Sequence, residues 1–200
     1  MFWHAVSIFL ARQHQEDQKN PHGGFIEKRN MDNIKIDAIL NEKEARWHRV
    51  IQLSNEWKEP VIVGSVVMPG PDKNAPCAEI IFRELEEALK RLSGVWPPLH
   101  REVLRGVSGP AIILVLAQDD ARLLKRAAVG IEDSSAAGRL FDIDVYDADG
   151  SPVSRVELGF SERRCLVCGG LVSECRRGAK HTLNEVMGKI EEIIKMLCKK

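Results

Sequence analysis

Apolar positions recur along this chain at two different periods, and the switches between them mark its elements. From Ile34 to about Trp57, Ile36, Ile39, Leu40, Val50, Ile51 and Leu53 fall at helical spacing among charged residues, and Pro60 stops the run. Val61 to Val67 is rich in β-branched residues and predicts a buried strand, closed by the rigid turn Pro69-Gly70-Pro71. A second helix fits Pro76 to Leu92, with Ile80, Ile81, Leu85, Ala88, Leu89 and Leu92 on one side. Two strands are expected near 101–107 and 111–117, joined by Ser108-Gly109-Pro110. The run Ala111 to Leu116 is apolar throughout, which places it centrally. Asp119 or Asp120 then caps a short helix through Ala128. A strand from Leu140 to Tyr146 is expected to turn through Asp147-Ala148-Asp149-Gly150 into another near 152–158, as a hairpin. Finally Thr182-x-x-Glu185 is a capping box that opens a helix with the stripe Leu183, Val186, Met187, Ile190, Ile193, Ile194 and Leu197. This order predicts an α+β domain: a small mixed or antiparallel sheet flanked by helices.

The chain has 200 residues, enough for one domain with a full core, and residues 34–200 are assigned to it. Residues 12–33 are polar and aperiodic, so residues 1–33 read as a disordered tail or as a start assigned upstream of Met31. The rival is an extension whose apolar patch, Phe2 to Ala11, docks on the domain. That patch is too short to span a bilayer and lacks the flanks of a signal peptide, so a cytoplasmic protein is expected, with no membrane partner. Lys+Arg and Asp+Glu both number 29, a balance that argues against bulk nucleic-acid binding. Local basic density remains, in Arg163, Arg164, Arg176, Arg177 and Lys180.

In the strand from Leu140 to Tyr146, alternation turns Phe141, Ile143 and Val145 into the core and Asp142 and Asp144 the other way. Two strand rises separate the aspartates by ~7 Å, close enough for both carboxylates to converge on one hard cation. Mg²⁺ suits such a pair, because it binds through one or two carboxylates together with substrate phosphate oxygens. Glu157, in the expected return strand, offers a third carboxylate. Arg139 is a candidate phosphate clamp by its planar fork, and Gly138 would let backbone approach a ligand. The plainer alternative makes the two aspartates the solvated face of an amphipathic strand.

Cys165-x-x-Cys168, Cys175 and His181 form a compact set of three thiols and an imidazole. The first pair has the spacing of a zinc knuckle, and Gly169-Gly170 supplies its turn. Four protein ligands leave no open position, so zinc here would be structural. The competing reading has reduced cysteines beside a substrate pocket, with His181 as a base or phosphate partner. Cys77 and Cys198 lie apart and are read as incidental.

Several motifs in order resemble one family, the citrate lyase holo-acyl-carrier-protein synthases, also called apo-citrate lyase phosphoribosyl-dephospho-CoA transferases. They are Pro69-Gly70-Pro71-x-Lys73-Asn74, Ser108-Gly109-Pro110, Gly138-Arg139-Leu140-Phe141-Asp142-Ile143-Asp144-Val145, and Arg164-Cys165-Leu166-x-Cys168 with Cys175-x-Arg177 and His181. The Glu42-to-Leu53 segment, with Arg46, is similar to the family's first helix. Where the family carries His-Pro before the Gly-Arg pair, this chain has Ser135-Ala136. The resemblance implies a nucleotidyltransferase-like domain. Its reaction would carry the 2′-(5″-phosphoribosyl)-3′-dephospho-CoA group from triphosphoribosyl-dephospho-CoA to a serine of the apo-citrate lyase acyl carrier subunit, releasing diphosphate. Asp142 and Asp144 would then hold Mg²⁺, Arg139 and Lys73 would grip the triphosphate, and Arg164 would line the pocket or support the knuckle. Two other functions stand beside this one: a zinc-stabilised protein-interaction module without catalysis, and the same transfer onto another carrier, such as that of malonate decarboxylase.

Overall fold

The computed structural model describes residues 24–70 and 72–197, with 24–34 as backbone only. The N-terminal apolar patch, residues 1–23 of the expected tail, Pro71 and Cys198 lie outside the described residues. The architecture is α+β. A long helix α1 (Gly24–Trp57) leads into strand β1 (Val61–Val66), helix α2 (Pro76–Ser93), strands β2 (Pro98–Leu104) and β3 (Ala111–Leu116), and helix α3 (Ala121–Asp133). A single 3₁₀ turn, Gly138–Leu140, delivers the chain to β4 (Phe141–Tyr146), and two helices finish the fold, α4 (Val172–Arg177) and α5 (Leu183–Leu197).

The four strands form one antiparallel sheet in the order β2-β3-β1-β4. Each face is apolar, so each needs a cover. On one, Ile62, Ile112, Leu114, Phe141, Ile143 and Val145 meet Ile81, Phe82, Leu85 and Leu89 of α2, Leu124 and Ala128 of α3, and Ile190 and Ile193 of α5. On the other, Val61, Val63, Ile113 and Val115 meet Val50 and Leu53 of α1. β3 is buried along its whole length, as its unbroken apolar run predicts. Asp120 caps α3 by accepting from Leu123 N at 2.9 Å, and Thr182 and Glu185 exchange the hydrogen bonds of a capping box.

β2 lies at Pro98–Leu104, not near 101–107, and α3 runs on past Ala128 to Asp133. Two further expectations change. Helix α1 starts at Gly24, inside the stretch read as a tail. The strand near 152–158 does not form: beyond the turn there is one bridge, Tyr146 to Pro152, one hydrogen bond from Val153 N to Val145 O at 2.8 Å, and then turns. Two causes act together. Pro152 has no N–H to give a ladder, and the outer edge of β4 is already occupied by side chains of α3. Lys125 donates through Nζ to Ile143 O at 2.7 Å, and Glu132 accepts from Ile143 N at 2.8 Å.

Candidate active site and the thiol knuckle beside it

The site grows from the edge strand. β4 pairs with β1 so that Asp144 lies opposite Val63 and Asp142 opposite Ser65, both on the face that α1 covers. Val50 and Leu53 seal that face over β1 and β3. Earlier turns of the helix bring different chemistry. The inward stripe of α1 runs Ile39, Lys43, Arg46, Val50, Leu53, a spacing of four, three, four and three. Lys43 and Arg46 therefore occupy positions that packing would assign to apolar residues, and both feel the charges of Asp142 and Asp144. Burial pulls the Lys43 ammonium below its ordinary pKa, and Arg46 beside it adds to the shift.

Lys73 enters from the loop after β1, and two loops hold it there. Its Nζ donates to Met68 O at 2.5 Å, while Asn74 Nδ2 donates to Gly106 O at 2.8 Å. Gly109 has φ +89°, and a Cβ there would stand 2.9 Å from Lys73 O, so only glycine allows the approach. Glu42 completes the assembly, accepting from Val107 N and Ser108 N at 2.8 Å each. The Pro-Gly-Pro-x-Lys-Asn and Ser-Gly-Pro motifs are thus two halves of one backbone clamp, bolted to α1. Burial, Lys43 and Arg176 bring the Lys73 amine down to about 8. Lys43 and Arg46 consequently share one region with the two aspartates, and Lys73 lies next to Lys43.

The aspartates respond to this crowding. Asp144 keeps solvent access but is hemmed in by the surrounding protein. That enclosure, and then repulsion from Asp142, pushes its carboxyl up to about 7. Asp142 accepts from Arg163 Nη1 at 2.9 Å. The same guanidinium donates to the carbonyls of Arg139 and Phe141, fastening the head of β4. Burial of Glu132 raises its pKa, against the pull of Arg163. Two hard oxygen donors two residues apart on one face, with like charges in contact, fit a divalent cation.

Three of the sequence-based candidates have structural settings of their own. Gly138 makes room for a helix, not a ligand: a Cβ there would lie 2.4 Å from Ile131 O and 2.7 Å from Glu132 O. The Arg139 Nη2 nitrogen is engaged by backbone, donating to Arg164 O at 3.2 Å and Cys165 O at 3.0 Å, so this side chain ties strand to knuckle. Glu157 is exposed on a turn, because the strand that would have aimed it at the aspartates is absent. The third carboxylate near the pair is Glu132, and its oxygen holds the amide between them. Arg164 is exposed and bridges Leu171 through backbone, a place at the rim of the knuckle. Ser135 accepts from Gly138 N at 3.0 Å and so supports the 3₁₀ turn.

The knuckle residues do converge. The ligand atoms of Cys165, Cys168, Cys175 and His181 all lie within 4.8 Å of one another. Cys168 Sγ is 3.5 Å from Cys175 Sγ and 3.2 Å from His181 Nε2. Tetrahedral Zn–S bonds of about 2.3 Å would set sulfur atoms roughly 3.8 Å apart, so the four donors already stand at metal-binding distance. Backbone amides of Val167 and Cys168 point at Cys165 Sγ and favour its thiolate. The donor set fits a tetrahedral thiophilic cation.

A family model described as apo-citrate lyase phosphoribosyl-dephospho-CoA transferase matches residues 34–197. The chain belongs to this family. Its members include the apo-citrate lyase phosphoribosyl-dephospho-CoA transferases of Shigella flexneri serotype 5b and Escherichia coli O6:K15:H31. Each is 33% identical over 166 residues, covering 80% of this chain and 88% of the relative. The match begins at residue 34, within α1, and so takes in the Lys43 and Arg46 stripe, the clamp loops, β4 and the knuckle. Among the described residues no helix is long and apolar enough to cross a membrane.

Lys43, Glu132 and Lys125 were missed by sequence reasoning. A signal existed for them: charges at inward positions of helices, Lys43 in α1 and Lys125 and Glu132 in α3.

Proposed function

We propose that this protein transfers the 2′-(5″-phosphoribosyl)-3′-dephospho-CoA group from its triphosphate precursor to a serine of the apo-citrate lyase acyl carrier subunit. The observation that supports the reading is the placement of Lys43 and Arg46, on the inward stripe of α1, beside the paired carboxylates Asp142 and Asp144, with Lys73 next to Lys43. Excess positive charge around two hard oxygen donors suits a triphosphate with its counter-cation. The names of the relatives supply the phosphoribosyl-dephospho-CoA group and the citrate lyase acceptor.

The chemistry is that of a nucleotidyl transfer. The carrier's serine oxygen forms a bond to the α-phosphorus as the bond to the departing diphosphate breaks. The serine's proton passes to solvent water as the bond to phosphorus forms. Asp142 and Asp144 would hold Mg²⁺, whose charge draws electron density from the phosphate oxygens. Lys43, Arg46 and Lys73 bind the triphosphate and stay in place as charge moves onto the leaving diphosphate, so no reorganisation is required. Arg46 feels the charges of both aspartates and of Tyr146, so its guanidinium belongs to the same electrostatic cluster. The acceptor brings the nucleophile, so catalysis here is positioning and electrostatics. Zinc is the metal we assign to Cys165, Cys168, Cys175 and His181, in a structural role.

The test is the intact mass of apo-citrate lyase acyl carrier after incubation with this protein, triphosphoribosyl-dephospho-CoA and Mg²⁺. A gain of one phosphoribosyl-dephospho-CoA group, lost on chelation and with Asp142→Asn, supports the assignment. An unmodified carrier beside a working relative overturns it, and modification of a malonate decarboxylase carrier instead would redirect the acceptor.

A further inference from the structure

Asp142 and Asp144 are like charges side by side on an edge strand, and such a pair relaxes by turning apart unless a side chain is held. Among the described residues, one protein hydrogen bond reaches either carboxylate: Arg163 Nη1 donates to Asp142 Oδ1 at 2.9 Å. Asp142 Oδ2 and both oxygens of Asp144 are left for other ligands.

Arg163 is itself fixed from both ends. Its Nη2 donates to the carbonyls of Arg139, at 3.1 Å, and of Phe141, while Nη1 also stands 3.8 Å from Oε1 of the buried Glu132. The planar fork cannot turn without giving up several of these oxygens at once. Its backbone belongs to the knuckle: the Arg163 carbonyl accepts from Val172 N at 3.0 Å, beside the Arg164–Leu171 bridge. Arg139 returns the contact, donating from β4's head to the carbonyls of Arg164 and Cys165. Two guanidiniums thus cross in opposite directions between strand and knuckle, and that of Arg163 ends on the aspartate.

We propose that Arg163 is a positioning residue for the reaction: it holds Asp142 through Oδ1, so that the carboxylate meets a divalent cation already oriented. The proposal rests on the reading of Asp142 and Asp144 as the Mg²⁺ site. It gives the knuckle a part in the reaction without contact to substrate, as the support from which Arg163 reaches the strand. Charge and orientation here act with opposite sign. By charge alone a guanidinium opposes a cation held by the same carboxylate, so its removal would tighten metal binding. If Arg163 orients the ligand, its removal loosens binding.

The experiment uses the full chain, with Mn²⁺ as the probe because its hard charge prefers carboxylates to the knuckle thiols. Free Mn²⁺ is followed by paramagnetic resonance during titration of wild type, Arg163→Gln, Arg163→Lys and Asp142→Asn, each checked for folding by near-ultraviolet circular dichroism. Mn²⁺ binding should weaken about tenfold in Arg163→Gln. Arg163→Lys, which keeps the charge and loses the fork, should bind no more tightly than Arg163→Gln, and it covers the case in which the glutamine variant fails to fold. In the transfer assay, the Mg²⁺ concentration for half-maximal rate should rise by the same factor. A mere loss of folded protein would lower the maximum rate and leave that concentration where it was. Arg163→Gln that binds Mn²⁺ as tightly as wild type, or more tightly, overturns the proposal, as does Arg163→Lys with wild-type affinity. Both outcomes leave the metal site standing if Asp142→Asn binds weakly. Wild type that binds no Mn²⁺, or Asp142→Asn that binds it as wild type does, sinks the reading of the aspartates as the metal site, and the proposal with it.

Discussion

β3 and β4 are both six residues long and both pair with β1, yet they are held in place by different physics. β3 is central and buried on both faces, and its conformation follows from apolar packing against α1 on one side and α2 on the other. β4 is an edge strand that carries two carboxylates, and packing holds only its inner face. Its open edge is satisfied by Lys125 and Glu132, which grip the C=O and N–H of Ile143 between the two aspartates. The difference shows how the fold can afford paired negative charges: the strand that bears them is positioned by specific polar contacts, which hold backbone without covering the side chains that must meet substrate.

The largest effect expected from breaking this division is on chemistry. Asp144→Asn should lower transfer on the order of a thousandfold by removing one cation ligand, with no loss of melting temperature. Near-normal turnover would mean that β4 does not carry the metal. On β3 the pattern should invert. Ile113→Ala should cost about 2–5 kcal/mol of stability, read by urea unfolding, while the remaining folded protein keeps its activity. Activity lost in fully folded Ile113→Ala would show that the central strand also tunes the site.

Lys125→Met sharpens the comparison because it touches both properties. It leaves a buried carbonyl unpaired, costing about 1–3 kcal/mol. It also frees the backbone between the aspartates, so transfer should drop even where unfolding does not. A stability loss with unchanged kcat would reduce Lys125 to a structural residue.

The smallest effects are titrations. The Asp144 carboxyl is raised from 3.8 to about 7, so between those values the folded protein holds a proton that the unfolded chain has lost. Metal-free protein should therefore lose stability as pH rises from about 4 to 7, a slope that Asp144→Asn removes. Lys73 moves the other way, from 10.5 to about 8. Near pH 8.5 triphosphate binding should then draw in a fraction of a proton, visible as a dependence of the calorimetric heat on buffer ionisation enthalpy. No proton uptake in wild type, or equal uptake in Lys73→Met, would take Lys73 out of the site.

Much of this was written locally. The β-branched run of β1, the unbroken apolar run of β3, the Asp120 cap and the Thr182–Glu185 box each depend on neighbours a few residues away, and each appears where the sequence predicts it. Alternation along β4 was enough to put Asp142 and Asp144 on one face. Spacing likewise brought the three cysteines and His181 together, because a knuckle is built within one short stretch. Tertiary structure decided the rest. Which cations meet the aspartates depends on how α1 crosses the sheet, and no local pattern states that crossing. The fate of Glu157 depended on a competition for the β4 edge, which α3 reaches from more than ten residues upstream. Arg139 was read as a phosphate clamp because its fork suits one, but a fork binds whatever carbonyls the fold presents, and here those belong to the knuckle. Periodicity reports which side of an element is wet or dry; only the packed molecule shows which charges are carried inward to be used.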